Sequence, residues 1–267
     1  MGKKVNPRAF RQASNYRTPS RWYATPLQFA KNLQLDVELR SFLRKKFRDG
    51  GVARIEIERS AGELTVIMHT AKPGVIIGRG GSLIDETKKE VKQKFFGSEK
   101  MKVNMSIQEV RQPDTDPELI VQSIRDQLEA RVPFRRAIKR SQEQIMRAGS
   151  KGCKIQVSGR LNGAEIARTE AVSQGRLPLQ SLRAKINYSR GVANTIYGVI
   201  GIKVWIYSGD VFGDEPEQEI AKEKKERPRG GGGKKRVPRK RLTTDGDKLI
   251  LRKKADVEKE KIPEKAS

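Results

Sequence analysis

Cysteine and histidine are almost missing from this sequence: Cys153 and His69 are the only ones in 267 residues. No disulfide can close within the chain, and a structural zinc site of the usual four-ligand Cys/His type cannot be assembled from it. A reducing compartment fits this usage. Catalysis through two histidines or a His/Cys pair would rest on these two residues alone. Cys153 alternates with Ile155 and Val157, and His69 falls in the strand-like run Leu64 to Thr70, so both read as packing residues. Aromatic residues make up 6% of the chain, too few for a broad base-stacking platform. No stretch approaches the roughly 20 apolar residues that span a bilayer. The nucleotide-binding pattern G-x-x-x-x-G-K-[ST] and the hydrolase patterns HExxH and GxSxG are also lacking. Gly149-Ser150-Lys151-Gly152 is too short to stand in for the first. The expectation is a protein with no catalytic site, no metal, no cofactor, no small-molecule substrate and no membrane.

Acidic residues are absent from positions 1–35, where Lys3, Lys4, Arg8, Arg11, Arg17 and Arg21 all occur. An organellar transit peptide is one reading. Pro7, Pro19 and Pro26 interrupt the amphipathic helix it would need, so a basic arm over 1–16, laid on RNA through Lys3, Lys4, Arg8 and Arg11, is preferred.

What is abundant is positive charge. The 57 Lys and Arg against 32 Asp and Glu leave a net +25. Self-repulsion of that size works against a compact monomer, and a polyanion relieves it; nucleic acid ranks ahead of an anionic membrane. Residues 216–267 hold 18 basic and 10 acidic side chains, so +17 remains on the rest of the chain. The charge therefore belongs to the folded part as well as to the tail.

Hydrophobic spacing predicts a helix from Phe29 to Phe47, with Phe29, Leu33, Val37, Phe42 or Leu43, and Phe47 facing inward, ending at Asp49-Gly50-Gly51. Strands follow at Val52–Arg59 and Leu64–Thr70, forming a hairpin. A helical turn at Val75–Ile77, the loop Gly78-Arg79-Gly80-Gly81, a helix to Gly97 and a strand at Lys102–Val110 complete a first domain over 17–111. Gln112–Pro117 reads as a boundary, with Asp116 capping a helix that begins at Pro117. A second helix starts at Pro133, and four strands are expected at Cys153–Ser158, Ala164–Thr169, Arg183–Ser189 and Ile202–Ser208. This gives an α+β chain: a three-stranded sheet with helices, then a two-helix, four-stranded domain over 112–212. The Glu-, Lys-, Arg- and Pro-rich tail over 213–267 is expected to be disordered.

A bare G-x-x-G says little, but Gly78–Gly81 joins two helices and follows a hairpin. That context resembles a KH module, whose loop clamps backbone nucleotides. Glycine lets the backbone approach a sugar–phosphate chain closely, and Arg79 adds a charge. A helix and a hairpin before the loop, with one strand after it, correspond to the type II arrangement. A second constellation is Arg135, Arg136, Lys139 and Arg140, in which 135 with 139 and 136 with 140 are like-charge pairs at i,i+4. Each pair costs an isolated helix roughly 0.2–0.5 kcal/mol. A single-signed run opposite an apolar face points to a polyanion in contact rather than to a merely solvated face.

Longer stretches carry a resemblance. Met1–Pro7, His69–Gly78, Phe134-Arg135-Arg136-Ala137 with Lys139-Arg140, Val157–Leu161 with Gly163–Glu170, and Tyr197–Ile206 occur in order. Together they resemble the family of the third protein of the bacterial small ribosomal subunit. The resemblance implies a structural place in the head of that subunit, in a cytoplasmic ribosome rather than an organellar one. It implies contacts with small-subunit ribosomal RNA and with the tenth and fourteenth proteins. It also implies a share, with the fourth and fifth proteins, in the channel through which messenger RNA enters, where Arg135, Arg136, Lys139 and Arg140 would hold and help to unwind messenger. The chain departs from the family in having Gly80 where a second basic residue is frequent, in Arg8–Arg11, and in its long tail. Two other classes stay open on sequence grounds. A stand-alone KH regulator has no reason to carry the two C-terminal signatures. A lysine-borne nucleic-acid-cleaving side activity is not excluded by composition.

Overall fold

The computed structural model describes residues 4–12, 16, 18–60, 62–97 and 101–212. The expected tail over 213–267 lies outside the described residues, as do Lys3 and Arg17. Six α-helices and eight strands are present among those described.

Helix α1 (Pro7–Phe10) and a two-residue strand β1 (Ser20–Arg21) precede α2 (Pro26–Lys46). Gly51, left-handed at φ +61°, turns the chain into β2 (Val52–Ser60). β2 pairs antiparallel with β3 (Glu63–Thr70), and β4 (Lys102–Glu109) lies parallel to β3. A parallel neighbour requires a crossover, and α3 (Pro73–Ile77) and α4 (Ser82–Val91) provide it. The sheet order is β1-β2-β3-β4, so the three expected strands are joined by a short fourth at the edge, parallel to β2. Alternation places Ile55, Ile57, Leu64, Val66 and Met68 on the helix side, where they meet Leu39, Leu43, Phe47, Ile76 and Val91. Each such side chain contributes roughly 1.5–3 kcal/mol by leaving water.

The inward face of α2 differs from the expectation. Leu43 is buried as expected, but Phe29, Leu33 and Val37 are 44–58% exposed, and the helix buries Leu39 and Asp36 in their place. Asp36 accepts hydrogen bonds from Ser20 Oγ and Trp22 Nε1 at 2.8 Å and from Arg59 Nε at 3.0 Å. Those partners fix the rotation of the helix in place of the apolar stripe.

The second domain holds α5 (Pro117–Glu129), α6 (Phe134–Arg147) and an antiparallel sheet of β5 (Gly152–Gly159), β6 (Arg168–Gly175), β7 (Ala184–Thr195) and β8 (Gly198–Asp210), in the order β6-β5-β8-β7. Asp116 caps α5 through the Glu118 amide at 3.0 Å, with Pro117 at the first position. Ile124, Phe134, Ile138, Ile145, Cys153, Ile155, Val157, Ile202 and Val204 form its core. Cys153 sits in the expected strand, and burial pushes its thiol pKa up, away from the reactive range. The strand expected at Ala164–Thr169 begins only at Arg168, because a 3₁₀ turn at Leu161–Gly163 and an irregular stretch take up the residues before it. The α5 helix also supports the first domain, where Gln122 Nε2 donates to the Val52 carbonyl at 2.9 Å.

Candidate nucleic-acid interface

The loop at Gly78–Gly81 is built from both sides. Buried Ile76 anchors α3, and Thr70 Oγ1 accepts from the Lys72 amide at 3.1 Å, fixing the approach. Gly78 (φ +72°), Gly80 (φ +61°) and Gly81 (φ +83°) all take positive φ, which side chains rarely adopt. A Cβ at Gly78 would lie 2.8 Å from Leu83 Cβ, so the loop closes tightly onto α4. At Gly80 and Gly81 the same test meets open space, which leaves the backbone free to be approached. Arg79 is exposed, as are Val75 and Ile77 beside it on α3. In the sequence these two side chains show only as parts of the apolar helical turn Val75–Ile77.

The basic residues of α6 share its outer face. Phe134, Ala137, Ile138, Ser141 and Ile145 are buried, while Arg135, Arg136, Lys139 and Arg140 are exposed. Arg135, with its side chain 72% exposed, comes within 3.5 Å of Glu170. Arg136, Lys139 and Arg140 have no acidic partner among the described residues. Nothing in the described chain therefore neutralises most of this face.

The amino-terminal arm is placed differently from the expectation. Arg11 is 1% exposed. Its Nη2 donates to the carbonyls of Leu179 at 2.7 Å and Ser181 at 2.9 Å, and its Nη1 to Pro7 at 3.0 Å. A buried guanidinium ringed by carbonyls holds the chain together and has no surface to offer RNA. Tyr16 Oη lies 3.1 Å from Asn187 Oδ1, and burial pushes its phenol up to about 12. Within the described arm, Lys4 remains exposed and Arg8 half-buried, its guanidinium 5.8 Å from the Tyr16 ring.

Sequence spacing could not reveal a third basic cluster. A cleft of about 490 Å³ gathers Arg40, Arg44 and Lys45 from the second half of α2, Arg48 from the turn after it and Arg125 from α5, against one carboxylate, Glu129. The folded chain brings these distant stretches together. Among the described residues there is no cluster of three or more His, Cys, Asp or Glu placed to hold a metal, and no helix long and apolar enough to cross a membrane. His69 is in β3 with its Nε2 3.6 Å from Glu56 Oε1.

This geometry joins a glycine loop inside a β-α-α-β crossover to a basic helix on a separate antiparallel sheet. Residues 38–115 match the model of the KH domain, and residues 124–206 match that of "Ribosomal protein S3, C-terminal domain". A small ribosomal subunit protein uS3 of Paraburkholderia phymatum is 45% identical over 242 residues, which is 90% of either chain. The protein of that name from Burkholderia cenocepacia is 44% identical over 230 residues, 85% of either chain. The chain belongs to the uS3 family. As a uS3 protein it is a ribosomal protein with an RNA-binding KH domain, and the family's role is structural rather than enzymatic.

Proposed function

We propose that this uS3 chain sits in the head of a cytoplasmic small ribosomal subunit, grips the small-subunit ribosomal RNA, and forms with α6 part of the channel through which messenger RNA enters. The exposed face of α6 supports this reading: four cations opposite a buried face that is apolar but for Ser141, three of them without an acidic partner among the described residues. A protein that meets only solvent gains nothing from such a face, because its like charges repel. A single strand of RNA supplies the missing anions at phosphate spacing. In this arrangement Arg135, Arg136, Lys139 and Arg140 hold messenger as its duplexes open, with no nucleotide hydrolysis by this chain.

The loop Gly78, Arg79, Gly80 and Gly81 contacts ribosomal RNA through backbone amides and one guanidinium, with Val75 and Ile77 beside it for bases. Lys4 adds a contact from the arm, as does Lys3, outside the described residues. The tenth and fourteenth proteins of the subunit are its neighbours, with the fourth and fifth around the channel. The test is translation by small subunits carrying Arg135→Ala with Arg136→Ala. Passage through a stable hairpin slows more than passage along unstructured messenger; equal slowing of both sinks the channel role.

A further inference from the structure

A cavity of about 440 Å³ opens where α6 begins, within the roughly 300–1,000 Å³ typical of small-ligand sites. Phe134 and Ile200 give it an apolar floor, and Asn162, Asn194, Arg160 and Tyr197 give it a polar and aromatic rim. Tyr197 is 57% exposed, yet its position is defined. A Cβ at Gly163 (φ +79°) would lie 3.1 Å from the tyrosine ring, so the ring rests on bare glycine backbone. The Arg160 guanidinium stands 5.7 Å from the ring centroid and is itself tied down, its Nε donating to the Ala164 carbonyl at 2.9 Å. An exposed aromatic ring braced in this way is a surface for stacking. Asn162 and Asn194 place on the same rim side-chain amides that both donate and accept, which suits the edge of any base.

Next to the cavity, the first turn of α6 has no acidic residue and no side-chain cap, and Arg135 projects from it. The amides of Phe134 and Arg135, ahead of those of Arg136 and Ala137 that donate to the Pro133 carbonyl, and the guanidinium favour an anion. We propose that this cavity takes one unstacked nucleotide of single-stranded RNA, with its base against Tyr197 and its phosphate at the start of α6 beside Arg135. The inference rests on the reading that α6 holds single-stranded RNA, and adds that the strand is held by a base as well as by charge.

The test compares binding of the full-length chain to a short single-stranded RNA and to an abasic oligomer of the same length and charge. The wild type prefers the base-bearing strand. Tyr197→Ala cuts that preference about tenfold, the size of one lost base–aromatic stack, and leaves the salt dependence unchanged. Tyr197→Phe keeps the preference. Arg135→Ala with Arg136→Ala does the converse, lowering the salt dependence while the preference for bases survives. An undiminished preference in Tyr197→Ala, or an equal loss in Tyr197→Phe, overturns the pocket. An unchanged salt dependence in the arginine variant overturns the reading of α6 and leaves the pocket to stand or fall by itself.

Discussion

Asp36 and Arg59 form a buried ion pair, their side chains 0% and 8% exposed, that ties the middle of α2 to the end of β2. The same carboxylate receives Ser20 and Trp22, so one side chain joins three segments of the first domain. Removing one partner of a buried pair leaves an uncompensated charge, which costs about 3–5 kcal/mol. Asp36→Ala is expected to destabilise the protein by that amount in denaturant unfolding, with the loss confined to probes in the first domain. Asp36→Asn, which keeps an acceptor, falls between the variant and the wild type.

Asp116 offers a test of sign. Burial raises its pKa, and the hydrogen bond from the Glu118 amide offsets this only in part. With the folded value above the unfolded one, the folded state binds more protons between the two, so stability falls as pH rises through that window. Asp116→Asn keeps the cap without the buried charge. Relative to it, the wild type loses stability as pH climbs from the ordinary carboxylate range through the raised value. Asp116→Ala removes the cap and costs about 1 kcal/mol at neutral pH. Urea titrations at a series of pH values separate the two effects.

The glycines of the loop differ in what they tolerate. Gly78→Ala places its Cβ 2.8 Å from Leu83 Cβ in a backbone region that only glycine populates, and should cost about 1–3 kcal/mol and open the loop. Gly80 has open space around it, so Gly80→Lys pays only the left-handed penalty of roughly 1–2 kcal/mol. The added cation should tighten RNA binding and steepen its salt dependence by about 0.7 in log–log slope. No change in that slope would place RNA away from the loop.

Arg11 and the α6 arginines should respond in opposite ways. Arg135→Ala with Arg136→Ala flattens the salt dependence by about 0.7 per lost contact and barely moves the melting temperature, because both side chains are exposed. Arg11→Ala takes a donor from the carbonyls of Pro7, Leu179 and Ser181, at about 1–3 kcal/mol for a buried group left without one. It lowers the melting temperature and leaves the salt slope as it was.

The comparison of Arg11 with Arg135 also shows where the sequence is legible. Strand β3 alternates throughout, and β2 and β5 alternate after an opening pair of buried residues, since one face of each is buried and a slip of one residue would turn every side chain over. The apolar and charged faces of α6 separate cleanly for the same reason, with the helical period in place of two. Helix α2 carries apolar residues on several sides, so periodicity alone selects Phe29, Leu33 and Val37, and only the polar bonds of Asp36 decide otherwise. β6 is an edge strand with no buried position and only two half-buried ones, so no alternation marks its start. For Arg11, a basic residue in a basic segment looks like a contact for RNA, and the carbonyls that receive it lie 168 and 170 positions away. The rim of the Tyr197 cavity comes from the ends of several elements, a juxtaposition that no local pattern announces.

The anchoring of Arg11 has a consequence for the order of events during synthesis. The chain is made from its amino end, so Arg11 leaves the ribosome that makes it long before Ser181, the carbonyl it needs. The first domain can complete its own sheet and core while its leading segment waits untethered. That segment closes only when the loop at Pro178–Ser181 has emerged, which makes its docking a late checkpoint. Until then the newborn protein presents a loose cationic end, one to be shielded from stray nucleic acid.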